Sequence, residues 1–331
     1  MRSGDFKPVL FTLRLITALS AVFVVMPYIG FGWFDVLQSV TGQQILRLVL
    51  LPFLFVQALH WYSSKRHIEA AASFFFVVIL FIELLGTVPF IADKPDSPKV
   101  LRVMTFNSQG YGEGAWLSWL KQDAIDLACV QELPPSGMEY VREYAPRFGF
   151  PHMNVQYAED GTAGVVLLSR TPFVYADSIQ VSDLEDSHRF FPAVGVISNG
   201  DTVHVIGVHM ASTPRWAPIS EVGKAWDVRE HQVKRVLERV DGVDGPVIVL
   251  GDFNSTPTDR LMRLMRGSLS DMWMAGGSGM GATWPSGLPF LRIDQVFARD
   301  FDGISRVMSE PLAVSDHLAV SLSLHREKVT D

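Results

Sequence analysis

Three apolar stretches in the first 92 residues constrain this chain more than any other feature. They run Val9 to Ile29, Ile45 to Tyr62 and Ala70 to Ile91. Each is close to the roughly 20 residues that carry a helix across a bilayer core. Arg47 opens the second, Pro52 lies inside it, and Pro89 closes the third. The first does not read as a cleaved leader, because no small-x-small site follows it and Arg14 interrupts its start. From Lys99 onward the chain has the composition of an ordinary soluble domain, with length enough for one sizeable core. The expected organisation is a membrane anchor of three transmembrane helices over 1–92, a linker over 93–98 stiffened by its prolines, and a soluble domain over 99–331.

Basic residues near the span ends set the orientation. Arg2, Lys7 and Arg14 stand before or at the start of the first span, the loop from Gly30 to Gln44 has no Lys or Arg, and Lys65 and Arg66 follow the second. The N-terminus and the second loop are therefore expected in the cytoplasm. Three crossings then place the soluble domain outside, in a multi-pass protein of the cell membrane. Lys94, Lys99 and Arg102, after the third span, count against this orientation. Glu83, in mid-span, reads as a helix-packing contact or as a functional ionisable group.

The part from Lys99 on holds 21 Lys and Arg against 29 Asp and Glu, about −8. A domain that grips long polyanions usually carries a basic face. The balance argues against tight nucleic-acid binding, though bound divalent metal can supply positive charge locally. The one cysteine, Cys129, sits in the apolar run Leu127-Ala-Cys-Val130 and reads as a small buried hydrophobe.

Strand-like runs recur at Val100–Asn107, Leu127–Glu132, Gly164–Ser169, Pro192–Ser198, Thr202–His209, Pro246–Asp252, Arg292–Phe297 and Leu318–Leu324. Helical patterns fall at Ala115–Gln122, Met138–Tyr144, Glu221–Val240 and Asp259–Met265. Alternation at both ends, with strands alone in the middle, suggests helices layered over sheets. Several strands end in polar residues. The clearest case is Val247-Ile-Val-Leu-Gly-Asp-Phe-Asn254, a buried-strand pattern that opens at Gly251. Asp252 and Asn254 lie two apart and share one side of an extended chain. Asn107 and Glu132 close two further strands and His209 a third, Asp294 opens one, and Ser315-Asp-His317 precedes the last. Each has an alternative reading: a turn cap at Asn107 or Asp316, a solvated end at Glu132, a satisfied core histidine at His209, an ion pair of Asp294 with Arg292.

In order, these elements resemble the endonuclease/exonuclease/phosphatase superfamily of metal-dependent phosphoesterases. Thr-Phe-Asn107, Gln-Glu132, Leu-Leu-Ser-Arg170, Val-His209, Arg229-x-x-Gln232, Gly-Asp252-Phe-Asn254, Ile-Asp294-Gln-Val-Phe and Ser-Asp316-His317 carry the resemblance, over roughly Val100 to Leu324. It implies an α/β (α+β) fold: a four-layer sandwich of two mixed β-sheets flanked by helices, here preceded by three transmembrane helices. It also implies a hydrolase that cleaves phosphoric ester or anhydride bonds with Mg²⁺ or Mn²⁺. By the same resemblance Glu132 is a metal ligand supported by Asn107, with Asp316 a further ligand. Asp252 orients or deprotonates the attacking water and Asn254 holds developing charge. His317, paired with Asp294, contacts the phosphoryl group, and His209 supplies a second contact or the proton for the leaving oxygen.

The N-terminal architecture resembles the membrane-anchored bacterial branch associated with glycopeptide resistance, whose members are thought to dephosphorylate polyprenyl pyrophosphate. A short linker would hold the domain near the membrane, as a lipid-linked phosphate ester requires. Arg215 and Trp216 could grip a pyrophosphate at headgroup level, or belong to an ordinary loop. The alternatives are a membrane-tethered endo- or exonuclease and a non-catalytic membrane scaffold.

Overall fold

The computed structural model describes residues 43–85, 98–110, 115–157, 164–181, 190–213, 219–301, 303–312 and 315–326. The stretch Val9–Ile29, the linker over 93–97, and Arg215 with Trp216 lie outside these residues, as does the side chain of Glu83. The chain divides into two compact units.

The N-terminal unit is a pair of helices, α1 (Gln43–Ser63) and α2 (His67–Leu85). Lys65 turns the chain between them with φ 59°, and Arg66 N–H donates back to the Trp61 carbonyl at 2.9 Å. Leu54 and Val77 pack between the helices, while Phe53, Phe55, Val56, Leu59, Phe74 and Phe75 are exposed. The expectation of three membrane-crossing helices is not met among the described residues, where no helix is long and apolar enough to cross a membrane. Helix α1 carries Arg47, Pro52 and Gln57 along its length, and α2 is 19 residues long. The third apolar stretch continues past Leu85, beyond the described residues.

The second unit is an α+β sandwich. Its strands are β1 (Lys99–Asn107), β2 (Leu127–Leu133), β3 (His152–Tyr157), β4 (Gly164–Ser169), β5 (Phe173–Gln180), β6 (Phe190–Ser198), β7 (Asp201–His209), β8 (Val247–Asp252), β9 (Ser270–Asp271), β10 (Asp294–Arg299), β11 (Gly303–Pro311) and β12 (Leu318–His325). They form two six-stranded sheets, ordered β11-β12-β1-β2-β4-β3 and β5-β6-β7-β8-β10-β9. Each sheet is mixed: β1 runs parallel to β2, and β7 parallel to β8, among antiparallel neighbours. Leu101, Val103 and Leu127 from one sheet meet Val205, Leu250 and Val296 from the other in a shared core. Alternate residues of these strands face that core, so the polar residues two positions beyond the last apolar one also point between the sheets.

Helices cover the outer faces. Trp116, Leu117 and Leu120 of α3 (Ala115–Gln122), with Met138 and Val141 of α4 (Pro135–Tyr144), bury against the first sheet through Met104, Ala128 and Val166. On the second sheet α5 (Ile219–Asp241) buries Val233, Val236 and Val240 on one stripe. Arg235 of α5 donates to the Gln180 carbonyl at the end of β5. Two shorter helices follow, α6 (Arg260–Ser268) and α7 (Met272–Gly276).

Candidate active site

The ends of β1, β2, β7 and β8 and the start of β10 reach one rim of the sandwich, and the strand register sets which side chains meet there. His209 is level with Asp252 on β8, and Asp252 is level with Asp294 on β10. Asn107 ends β1 opposite Gln131 of β2. From the first sheet Asn107 reaches the second, its Nδ2 donating to Asp252 Oδ2 at 3.0 Å and to Glu132 Oε1 at 2.9 Å. The Oδ1 of Asn107 accepts from Gln109 N–H at 2.9 Å.

Glu132 gets there by a break in the strand. It has φ 57°, and the β2–β4 register shifts between Val130 and Leu133. A bulge of this kind re-aims a side chain that regular alternation would send to the other face. Gln131 therefore stays inside, donating to Thr105 Oγ1 at 2.9 Å, while Glu132 turns towards Asn107. Past β8, Asn254 also sits at positive φ, 47°. Its N–H donates to Asp252 Oδ1 at 2.8 Å and its Nδ2 to the Met210 carbonyl at 3.0 Å. Asn tolerates this conformation better than most residues.

Two clusters share Asp252. Glu132, His209 and Asp252 form one, and Asp252, Asp294 and His317 the other, with the ligand atoms of each within 4.8 Å of one another. His209 Nε2 lies 3.4 Å from Glu132 Oε1 and 3.9 Å from Asp252 Oδ2. His317 Nδ1 is 2.8 Å from Asp294 Oδ2. The ion pair of Asp294 with Arg292 is not formed. Arg292 instead makes two bonds to Asp271, at 2.8 and 2.7 Å, and Asp294 is left to His317.

The electrostatics follow from burial and neighbours. Burial works against the charge of Glu132, but the His209 bond and charge, Asn107 and His317 outweigh it and hold its carboxyl at about 2. Burial also opposes a charged His317, yet Asp294 beside it, then Asp252 and Asp316, carry the imidazole up to about 10. Asp252 is pushed up by burial and then by Asp294. Carboxylates crowded in this way fit a hard divalent cation, and Glu132 with Asp252, beside His209 and Asn107, could hold one. Bound there, such a cation would neutralise phosphoryl charge.

Asp316 lies outside both clusters. Its Oδ2 accepts from Trp284 Nε1 at 3.0 Å, its N–H donates to Gln109 Oε1 at 2.9 Å, and its Oδ1 is 3.8 Å from His317 Nε2. Ser315, which the sequence placed in the Ser-Asp-His317 motif without a role, donates its hydroxyl to the Asn107 carbonyl at 2.6 Å and accepts from His317 N–H at 3.0 Å. Gln109 and Trp284 were passed over in the sequence. Arg229 and Gln232 of α5 serve the loop after His209: Arg229 donates to the Ala211 carbonyl and Gln232 accepts from Ala211 N–H. Arg170 is elsewhere. It follows Ser169, which pairs with Leu127 at the opposite end of β2 from Glu132, and its guanidinium lies over Phe150.

The sequence profile of the Endonuclease/Exonuclease/phosphatase family matches residues 104–317, well over half of the chain, from β1 to the site histidine. This chain belongs to that family. Members of the endonuclease/exonuclease/phosphatase family are hydrolases of phosphodiester or phosphate-ester bonds, and generally need a divalent metal. Solved structures share the fold. An endonuclease/exonuclease/phosphatase from Beutenbergia cavernae aligns with TM-score 0.52 at 20% identity, over 69% of this chain and 72% of its own. A Bacteroides vulgatus protein of the same description gives 0.53 at 13%, over 70% and 100%. D. rerio TDP2, complexed with single-strand DNA product, gives 0.54 at 18%, over 69% and 100%. No curated protein matches this chain.

Proposed function

We propose that this protein is a membrane-anchored phosphoesterase that uses Mg²⁺ or Mn²⁺ to cleave a phosphodiester or pyrophosphate bond, in a lipid-linked substrate of the polyprenyl-pyrophosphate type. The observation that carries the reading is the convergence of Glu132, His209, Asp252, Asp294 and His317 on one rim. Charge on the phosphoryl group repels nucleophiles, and groups fixed in advance around it lower that barrier. Asp252 orients the attacking water. Asp294 fixes His317 with Nδ1 protonated, so that Nε2 meets a phosphoryl oxygen. His209, beside Glu132, serves the leaving oxygen.

Anchoring is supported by the helix pair, where large apolar side chains such as Phe55, Val56 and Leu59 are exposed on one helix and Phe74 and Phe75 on the other. An apolar surface of that kind marks a contact with lipid or with protein. The basic-residue pattern supports an extracytoplasmic catalytic domain. A nuclease reading has one observation in its favour: the structurally similar D. rerio TDP2 is complexed with single-strand DNA product. The acidic balance from Lys99 on favours the lipid substrate.

The test uses the full chain in detergent, offered polyprenyl pyrophosphate, a phosphodiester model compound and DNA in parallel, with Mg²⁺ or Mn²⁺ and then with chelator. Release of phosphate from the polyprenyl substrate, lost on chelation and in Asp252→Ala, is the expected result. Cleavage of DNA alone overturns the substrate. Unchanged biological function in Asp252→Ala marks a scaffold instead.

A further inference from the structure

His317 lies between two carboxylates. Asp294 takes Nδ1 at 2.8 Å, and the other ring nitrogen, Nε2, faces Asp316 Oδ1 at 3.8 Å. That second separation is beyond hydrogen-bond range, although the two residues are adjacent in the chain. A closed Asp316–His317 bond would occupy the nitrogen that has to meet the phosphoryl group. We propose that Trp284 is a positioning residue that holds Asp316 off His317, so that Nε2 stays open to a phosphate oxygen.

Three contacts support this. The indole Nε1 of Trp284 donates to Asp316 Oδ2 at 3.0 Å and directs that carboxylate away from the ring. Ser286, two residues on, donates its N–H to the Asp316 carbonyl at 2.7 Å and its hydroxyl to the Ser315 carbonyl at 2.7 Å, so the backbone beneath is fastened as well. Thr283, one residue earlier and fully buried, joins the two flanks. Its carbonyl accepts from Leu318 N–H at 2.8 Å, and its hydroxyl accepts from Asp294 N–H at 3.3 Å. The segment Thr283–Ser286 thus touches the strand that carries Asp294 and the loop that carries Asp316 and His317, and sets the spacing on both sides of the imidazole.

The inference rests on the phosphoesterase reading, in which His317 Nε2 contacts the substrate phosphate. It is tested by a double-mutant cycle in the full chain: wild type, Trp284→Phe, Asp316→Ala and both together, alanine leaving no acceptor to close onto His317. Two quantities are read with Mg²⁺ present, the affinity for inorganic phosphate by calorimetry and kcat/KM on a phosphodiester model compound. In the parent background Trp284→Phe should weaken both about tenfold, the scale of losing one hydrogen bond to a charged group. In the Asp316→Ala background the same change should cost less than about twofold, within ordinary additivity. Both arms of the cycle remove the same indole, so a smaller cost in the Asp316→Ala background reports the coupling to Asp316 and not the loss of the indole's packing. An equal cost in both backgrounds, or none in the parent, overturns the proposal. A wild-type protein that neither binds phosphate nor cleaves the diester overturns the phosphoesterase reading, and this inference with it.

Discussion

At the scale of single residues, function depends on which partner each buried polar group finds. Asp294 is almost fully buried, and its Oδ2 meets His317 Nδ1. Asp294→Asn keeps the shape and removes the charge that fixes the imidazole. Phosphoesterase turnover should fall about 100-fold or more, with the melting temperature little changed, as steady-state kinetics beside a thermal melt will measure. An unchanged rate would remove His317 from the chemistry. Most of this site could be read from the sequence because its residues end strands and their spacing places them. The pairing of Asp294 with His317 is what the family resemblance implied, and the competing ion pair with Arg292 is the reading that fails. Arg292 stands two residues away in the chain, but it lies before β10 begins and its fork fits Asp271, 21 residues earlier. The bonds that Ser315, Gln109 and Trp284 make carried no signal for a similar reason. Their bonds run to backbone groups or across more than 20 residues, and a hydroxyl, an amide or an indole in a loop has many ordinary explanations.

At the scale of elements, the sequence reading fails at the margins of the sheets. The strands it missed are β3, β5, β9 and β11, which are the four edges of the two sheets. An edge strand has a neighbour on one side only and is covered less. The residues of β5 are mostly exposed or half-buried and those of β3 entirely so, and neither has the continuous apolar run that marks a central strand. Central strands such as β4 and β8 are buried along their whole length. Two predictions belong here. A Cβ on Gly251 would lie 1.9 Å from the Val208 carbonyl oxygen, where β8 runs beside β7. Gly251→Ala should therefore destabilise the fold by about 2–4 kcal/mol and displace Asp252, which denaturant unfolding and activity will report together. The second concerns the start of β10. Asp271 caps α7 and grips buried Arg292. Burial opposes its charge, but Arg292 prevails and keeps the carboxyl below its ordinary 3.8. A depressed carboxylate contributes stability that is present above the unfolded value and lost as pH falls through the folded one. In Asp271→Ala that acid-dependent contribution should be absent. At neutral pH the variant should lose about 3–5 kcal/mol, because Arg292 is left buried without its partner. A variant as stable as wild type at pH 7 would contradict the assignment.

At the scale of the whole molecule, the chain joins two kinds of surface. The helix pair exposes large apolar side chains close together along both helices, whereas the sandwich buries most of its apolar residues and gathers carboxylates at one rim. If the first surface meets lipid, the side of the membrane on which the rim works becomes the deciding question for the substrate. The proposed orientation rests on the basic residues at the start of the first apolar stretch and at the turn between α1 and α2, with none from Gly30 to Gln44, against Lys94, Lys99 and Arg102 after the third stretch. An excess of Lys and Arg marks the cytoplasmic side. The proposed three crossings from a cytoplasmic start would end outside, and on that proposal a reporter cysteine placed after Asp331 should react with an impermeant thiol reagent in intact cells. The native Cys129 will not interfere, since burial pushes its thiol up to about 12 and it is closed to solvent. Labelling only after lysis would put the rim in the cytoplasm, and would require either an even number of crossings or none. The same cells, washed with carbonate, separate those two outcomes: an anchored chain stays in the membrane pellet and a peripheral one is released.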